Sequence, residues 1–152
     1  MLGILTVTII FIYNVQFKSW NEGYSRSLIR GNLSQGLELA VQSLLQAQSI
    51  DAVTESSITF TADLGNGTDT HRLYLYNADD PEPNPPYNQS TYSLRFAHGL
   101  VNYGDGAVLS PDIKQPATPA FSMNNNVVVI ELTVLRGSQE VSMKTSVRPR
   151  NL

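Results

Sequence analysis

The sequence contains no cysteine and little charge. Among its 152 residues, ten Lys and Arg stand against thirteen Asp and Glu, a formal net charge of −3. The charged fraction of 15% is well below the roughly 25% of soluble domains. The absence of cysteine excludes a disulfide scaffold, a thiolate zinc site, an iron–sulfur cluster and a cysteine nucleophile. A mildly acidic chain without a basic cluster is also a poor candidate for nucleic-acid binding.

Catalytic motifs are missing from the sequence too. It has only two histidines, His71 and His98, and neither a His-Glu-x-x-His nor a Gly-x-Ser-x-Gly motif. We therefore predict that the protein is not an enzyme. His71 is expected to be a solvent-facing strand residue beside Leu73.

Acidic residues provide the one candidate for metal binding. Asp79, Asp80 and Glu82 lie in the proline-rich segment 78–90, and calcium is bound by several carboxylate oxygens. A solvated acidic loop is the favoured interpretation, so calcium is kept as the alternative and no other cofactor is predicted. The segment 63–69 also has some likeness to a calcium loop, but its composition is more typical of a hairpin turn.

The first seventeen residues carry no charged side chain, and residues 1–13 are apolar except for Gly3, Thr6 and Thr8. As a helix, residues 1–13 would rise only ~20 Å, less than a ~30 Å hydrocarbon core. The start has neither the basic residues nor the cleavage site of a secretory signal. We predict an uncleaved hydrophobic helix that is either truncated at its N-terminus or packed among others like it.

No proline interrupts residues 14–50, and two apolar stripes follow each other there at helical spacing. The first stripe is Phe17, Trp20, Tyr24 and Leu28. The second is Leu33, Leu37, Ala40, Val41 and Leu44. They point to nearly opposite sides of one helix, which predicts two different partners, namely neighbouring subunits and the chain's own domain. The alternative is a helix broken at Gly31 or Gly36, with both halves in one core.

Beyond residue 50 the period changes to that of strands. Alternating segments are Ser57–Ala62, His71–Tyr76, Thr91–Phe96, Asn126–Leu135 and Gln139–Val147. Residues 78–90 and 98–118 have loop compositions. The sequence predicts an α+β fold, with a long N-terminal helix, hydrophobic and then amphipathic, packed on a small antiparallel sheet.

The predicted organisation is an apolar helix over residues 1–17, an amphipathic continuation over 18–50 and an antiparallel β-domain over 51–152. The residues predicted to form the helix–sheet core are Leu37, Val41, Leu44, Val128, Ile130, Leu132 and Val134.

This layout resembles that of type IV pilin-like proteins. The helix from Phe17-Lys18-Ser19-Trp20 to Gln48-Ser49-Ile50 is similar to that of minor pseudopilins of type II secretion and related minor pilins. A strand like Ser57–Phe60 and a terminal run like Thr145–Asn151 also occur in those proteins. The basic leader and the Phe-Thr-Leu-Ile-Glu motif of the family are missing, and Met1–Leu5 aligns within the apolar helix. We expect that the coding sequence starts upstream, that the leader lies upstream, or that processing is not used.

The resemblance implies a structural subunit of a type IV pilus or of a type II secretion pseudopilus. Its partners would be other pilin or pseudopilin subunits and the assembly machinery of the inner membrane. The subunit would sit in that membrane with a periplasmic globular domain, and later in a pseudopilus or an extracellular filament. The assembly interface would then comprise Leu2, Ile4, Leu5, Ile9, Ile10, Ile12, Tyr13 and Phe17. Trp20 and Tyr24 would lie where the helix leaves the apolar bundle, as aromatic residues do at membrane interfaces, unless they pack on the β-domain.

Two other classes of function stay open at this point. One is a single-pass, membrane-anchored binding or adhesion domain that does not polymerise. The other is a periplasmic hydrolase with a membrane anchor.

Overall fold

The computed structural model describes residues 2–99 and 102–150, with the backbone alone for residues 2–15 and 17. It contains one long helix, α1 (Leu2–Leu45). The strands are β1 (Ala47–Val53), β2 (Ser57–Asp63), β3 (Thr68–Tyr76), β4 (Thr91–His98), β5 (Ala107–Lys114), β6 (Phe121–Asn124), β7 (Val127–Arg136) and β8 (Gln139–Val147). The predicted α+β class, a helix packed on an antiparallel sheet, is confirmed.

The helix continues through both Gly31 and Gly36, so the alternative of a broken helix is wrong. It ends at Leu45, earlier than the predicted residue 50, and the Gln46 N–H donates to the Ser43 carbonyl in a closing turn. The chain then enters β1 at Ala47. Residues 46–50 favour a helix by composition, but pairing of β1 with β2 decides their conformation, because tertiary contacts override a weak local propensity.

The sheet is antiparallel throughout, and its strands run in the order β1-β2-β3-β4-β5-β7-β6, with β8 on the other side of β7. One edge of β7 is shared: Val127–Ile130 pairs with β6, and Val134 pairs with Ile113 of β5. The other edge pairs with β8 along its whole length. β7 is therefore the central strand of this half of the molecule.

The sheet is curled, so that its two ends approach each other. The carbonyl of Glu55, between β1 and β2, accepts hydrogen bonds from the N–H groups of Ala120 and Phe121 at 2.9 and 3.3 Å. Helix α1 packs on the inner face of this curl, mainly against β8 and β5. Its buried residues Leu33, Leu37 and Leu44 join a core whose largest members include Phe60 and Ile130.

The five strands expected from alternation are confirmed as β2, β3, β4, β7 and β8. Two differences concern the rest of the sheet. The composition of segment 98–118 predicts a loop, but the segment contains β5, where Pro111 and the positive φ of Asp112 (59°) break the alternation. The last hairpin is preceded by β6, because Asn125 and Asn126 (φ 49° and 62°) form a turn rather than the start of β7.

Candidate assembly surface

The buried face of α1 is a single stripe on the part of the helix that lies over the sheet. Its members are Ile29, Leu33, Leu37, Ala40 and Leu44, each at most 4% exposed. Spacings of three and four residues keep them on one side of the helix. This stripe gives the globular domain its helical layer, whereas residues 18–28 are all exposed and add nothing to the core.

The side of α1 opposite to this stripe carries exposed apolar residues. Trp20 is 76% exposed, Tyr24 62% and Leu28 44%. At about 100° per residue, their common direction is opposite to that of the buried stripe. The prediction of two opposed faces agrees with this burial, and the alternative that Trp20 and Tyr24 pack on the β-domain of the same chain is wrong. In the single chain this stripe contacts water.

A row of charged residues explains why the helix leaves the sheet. Lys18, Glu22, Arg26 and Arg30 follow each other at intervals of four residues and are all exposed. On a helical projection they continue the line of the buried stripe towards the N-terminus. From Ile29 to Leu44, one side of the helix is apolar and faces the sheet. In the part of the helix before Ile29 the same side is charged, and the apolar residues lie on the opposite side. Burying this charged row in a core would be costly, so the row stays exposed and does not pack on the sheet.

An open cleft of about 700 Å³ lies between the projecting helix and the turn that joins β7 to β8. Lys18, Glu22 and Leu28 line it from the helix, and Arg136 and Gln139 from the turn. The side-chain oxygen of Gln139 is buried and has no hydrogen-bond partner among the described residues. Because the cleft is open, it fits a neighbouring protein segment better than a small ligand, which is usually held in a more enclosed site.

The structure describes the side chains of the predicted core residues, but only the backbone of the predicted assembly residues. The predicted assembly residues Leu2, Ile4, Leu5, Ile9, Ile10, Ile12, Tyr13 and Phe17 lie in α1, but their side chains fall outside the described part of the structure. Six of the seven predicted core residues, Leu37, Leu44, Val128, Ile130, Leu132 and Val134, are buried. Val41 is half-buried and packs at the margin of the core.

His71 is buried, so its predicted exposure to solvent is wrong. Its ring packs against those of Phe60 and Phe96, whose centroids lie 5.7 and 5.8 Å away. Nε2 lies 3.2 Å from the Ala62 carbonyl, whereas Nδ1 has no partner among the described residues. His71 shares the core face of β3 with Leu73 and Leu75, because all three have the same parity along the strand.

The acidic loop does not bring its three carboxylates together. Asp79 and Glu82 are exposed, while Asp80 is buried and accepts a hydrogen bond of 2.7 Å from the Tyr92 hydroxyl. Within residues 2–99 and 102–150, no group of three His, Asp or Glu side chains is placed to hold a metal ion. Asp80 anchors the proline-rich loop to the sheet.

Two tyrosines near this loop have raised pKa values. Burial, and then the charge of Glu55, raises the pKa of Tyr87 to about 12. Burial also raises the pKa of Tyr92, and its hydrogen bond to Asp80 adds to the effect. Both phenols therefore remain neutral under ordinary conditions and act as structural hydrogen-bond donors.

A second cluster, which sequence reasoning missed, covers the outer face of β3 and β4. The Arg72 guanidinium lies 4.6 Å from the ring centroid of Tyr103, and that of Arg95 lies 4.3 Å from the centroid of Tyr76. The Tyr74 hydroxyl donates to the Tyr103 carbonyl, and Arg95 donates to the carbonyl of Gly104. These bonds hold the segment after β4 against the sheet. The alternation of Arg72, Tyr74 and Tyr76 is the signal that could have indicated a covered outer face.

Within the described part of the chain, no helix combines the length and the hydropathy of a membrane span. Comparison with models of known protein families, with curated proteins and with solved structures finds no match.

Proposed function

We propose that this protein is a structural subunit of a type IV pilus or of a related secretion pseudopilus, and that it assembles through its N-terminal helix. The observation that carries the proposal is the stripe of Trp20, Tyr24 and Leu28, which lies on the side of α1 opposite to the buried stripe and is largely exposed. Three large apolar side chains in a row are costly to leave in water, because burial of apolar surface contributes about 25 cal/mol per Å². Neighbouring helices in a filament would cover them.

The division of the helix supports this role. The domain completes its core with the stripe that begins at Ile29, and the charged row above it prevents the upper helix from folding back onto the sheet. The upper helix is therefore free to pack with other subunits without any rearrangement of the domain. Such a two-part helix suits a subunit whose globular part decorates a helical bundle.

The uncharged segment 1–17 supports the proposal by its composition. Before assembly, these residues would be held in the inner membrane with the globular domain in the periplasm. Transfer from lipid to a bundle of similar helices keeps Leu2, Ile4, Leu5, Ile9, Ile10 and Ile12 out of water, so no large hydrophobic penalty opposes assembly. The proposed partners are other pilin-like subunits and the inner-membrane assembly machinery, and the role is structural rather than enzymatic.

The experiment compares Ile10→Lys with the matched control Ile10→Leu in the native cell. A lysine inside a helical bundle would be a buried charge without a partner, which costs several kcal/mol. We expect Ile10→Lys to be missing from sheared filaments while it persists in the membrane fraction, and Ile10→Leu to be incorporated normally. Mass spectrometry of both fractions measures the ratio. Normal incorporation of Ile10→Lys would reject the filament role and favour a lone, membrane-anchored binding domain.

A further inference from the structure

Strand β8 is an edge strand with a defined set of outward-pointing backbone groups. The β7–β8 turn has two residues, Gly137 and Ser138, between the paired residues Arg136 and Gln139. Gly137 has a φ of 63°, as the first central position of a type II′ turn requires. In such a turn the N–H of the fourth residue, here Gln139, donates to the carbonyl of the first, here Arg136. These two residues are therefore a hydrogen-bonded pair of the ladder.

The pairing with β7 continues from this turn without a register shift. Hydrogen-bonded and non-hydrogen-bonded pairs alternate along an antiparallel ladder. The odd-numbered residues of β8 therefore bond to β7, and the even-numbered residues aim their N–H and C=O groups away from the sheet. These even-numbered residues are Glu140, Ser142, Lys144 and Ser146, and all four side chains are exposed.

Nothing in the described part of the chain occupies this edge. Helix α1 covers the inner face of β8, where Val141 and Met143 are partly buried against the core. Among the described residues, the backbone of β8 has hydrogen-bonding partners only on β7. An uncovered edge of nine residues is a template for another strand.

The charges on this edge are complementary to themselves. Glu140 and Lys144 lie on the same face of β8 and are placed symmetrically about Ser142. When two copies of β8 pair antiparallel about Ser142, Glu140 of each copy stands directly opposite Lys144 of the other. Opposite charges at directly facing positions stabilise a strand pair.

The neighbouring ion pairs extend the complementarity across the outer face. Within one chain, Nζ of Lys114 lies 2.6 Å from Oε1 of Glu140, and Nζ of Lys144 lies 2.9 Å from Oε2 of Glu131. Pairing of two copies about Ser142 would place these in one row in which positive and negative charges alternate: Lys114 and Glu140 of one copy, then Lys144 and Glu131 of the other. Each charge would thus have a neighbour of opposite sign.

We infer that β8 is the pairing edge of a symmetric dimer, in which a second copy of this chain adds its own β8 antiparallel about Ser142. Such an interface is isologous and closes on itself, so it produces dimers rather than filaments. It does not depend on the filament role, because it uses the backbone edge of β8 and none of the residues of the Trp20 stripe. The sheets of the two copies become continuous across it.

Other registers of the same pairing lack this complementarity. Centring on Met143 places serines opposite both Glu140 and Lys144. Centring on Lys144 or Glu140 brings two like charges face to face, which destabilises a strand pair. The charge pattern therefore selects the register about Ser142 and disfavours its neighbours.

Disulfide trapping tests the pairing in the full chain, which has no cysteine of its own. In the proposed dimer the two Ser142 Cα atoms lie about 5.5 Å apart, within reach of a disulfide. The matched control is Ser146→Cys on the same edge and face, where the two copies would be separated by roughly 27 Å. Under mild oxidation in detergent, we expect Ser142→Cys to become predominantly a covalent dimer and Ser146→Cys to remain monomeric. Equal trapping of both variants, or trapping of Ser146→Cys alone, would overturn the proposed register and interface.

Charge reversal gives a second, independent measurement. Glu140→Lys alone and Lys144→Glu alone each place two like-charged pairs in the interface and should weaken the dimer roughly tenfold. A mixture of the two variants restores opposite charges at both positions, so a mixed dimer should form at the wild-type concentration. Circular dichroism checks that both variants are folded. Failure of the mixture to associate more tightly than either variant alone would reject the pairing.

Discussion

The backbone of Gly36 lies so close to the carbonyl of Leu109 that a Cβ at position 36 would stand 2.6 Å from that oxygen. This contact brings α1 directly against β5. It explains a glycine in the middle of a helix, where the residue is intrinsically unfavourable by about 1 kcal/mol relative to alanine. Helix α1 and β5 can approach this closely only because residue 36 has no side chain.

Gly36→Ala should therefore destabilise the domain by about 1–3 kcal/mol, as overpacked substitutions do. The backbone carbonyl of Leu109 cannot move aside as a flexible side chain would. Gly31→Ala is the matched control, because a Cβ there meets nothing within 4 Å, and it should stabilise the helix by up to about 1 kcal/mol. Thermal melting of both variants measures the difference. Equal melting temperatures would contradict the close contact.

Ile130→Ala should cost about 2–5 kcal/mol through lost burial and the cavity left behind. Ile130 is fully buried on the core face of β7. Its neighbour Glu131 lies on the other face in an exposed ion pair with Lys144, so Glu131→Ala should cost at most about 1 kcal/mol. Urea unfolding of the two variants gives both values. Similar losses would mean that β7 exposes the opposite face, since a slip by one residue exchanges the two faces.

Trp20→Glu should reduce incorporation into filaments without changing the melting temperature of the domain. Trp20 is 76% exposed in the single chain, so the substitution removes no contact within the domain, but it places a charge on the proposed interface. Ser19→Glu adds the same charge one residue earlier, on another side of the helix, and should be incorporated nearly as wild type. The measurement is the share of each variant in sheared filaments. Wild-type incorporation of Trp20→Glu would count against the stripe as an assembly surface.

The fluorescence of Trp20, the only tryptophan of the chain, should show whether its indole ring is exposed to water or buried by neighbouring subunits or lipid. In the isolated chain the emission should be that of a hydrated indole, and on filament assembly it should move to shorter wavelengths. In liposomes, quenchers carried by the lipids should reduce it if the residue lies at the membrane interface. Blue-shifted emission in dilute monomer would show that Trp20 packs on its own domain.

Ionisation of Tyr87 should destabilise the folded protein at alkaline pH. Its pKa is raised to about 12 in the folded state, mainly by burial and then by Glu55, against the ordinary value of 10.0. The unfolded chain loses this proton first, so the contribution of Tyr87 is fully present below pH 10 and is lost as the pH rises towards 12. Tyr87→Phe should reduce this alkaline loss, and Glu55→Gln should lower the pKa of Tyr87 in a titration of phenol absorbance. An unchanged titration in Glu55→Gln would exclude the charge of Glu55 as a cause.

The sequence by itself determined the elements whose residues alternate or repeat without interruption. Ser57–Ala62 and Val127–Leu135 have a strict two-residue period, and a single buried face follows from it. The stripe from Leu33 to Leu44 and the opposed stripe from Trp20 to Leu28 follow in the same way from the helical period. These patterns are local, because each residue has the same environment as the residues two, three or four positions away.

Only the tertiary structure decided the features that depend on contacts between distant segments. β1 and β5 have weak or broken patterns and become strands because β2 and β4 offer them partners. His71 has a polar side chain, yet the curl of the sheet places it among Phe60 and Phe96. Pairing and curling bring together residues far apart in sequence, such as Glu55 and Ala120. The free energy of these contacts is larger than the local conformational preference of any single segment. No local sequence pattern therefore predicts them.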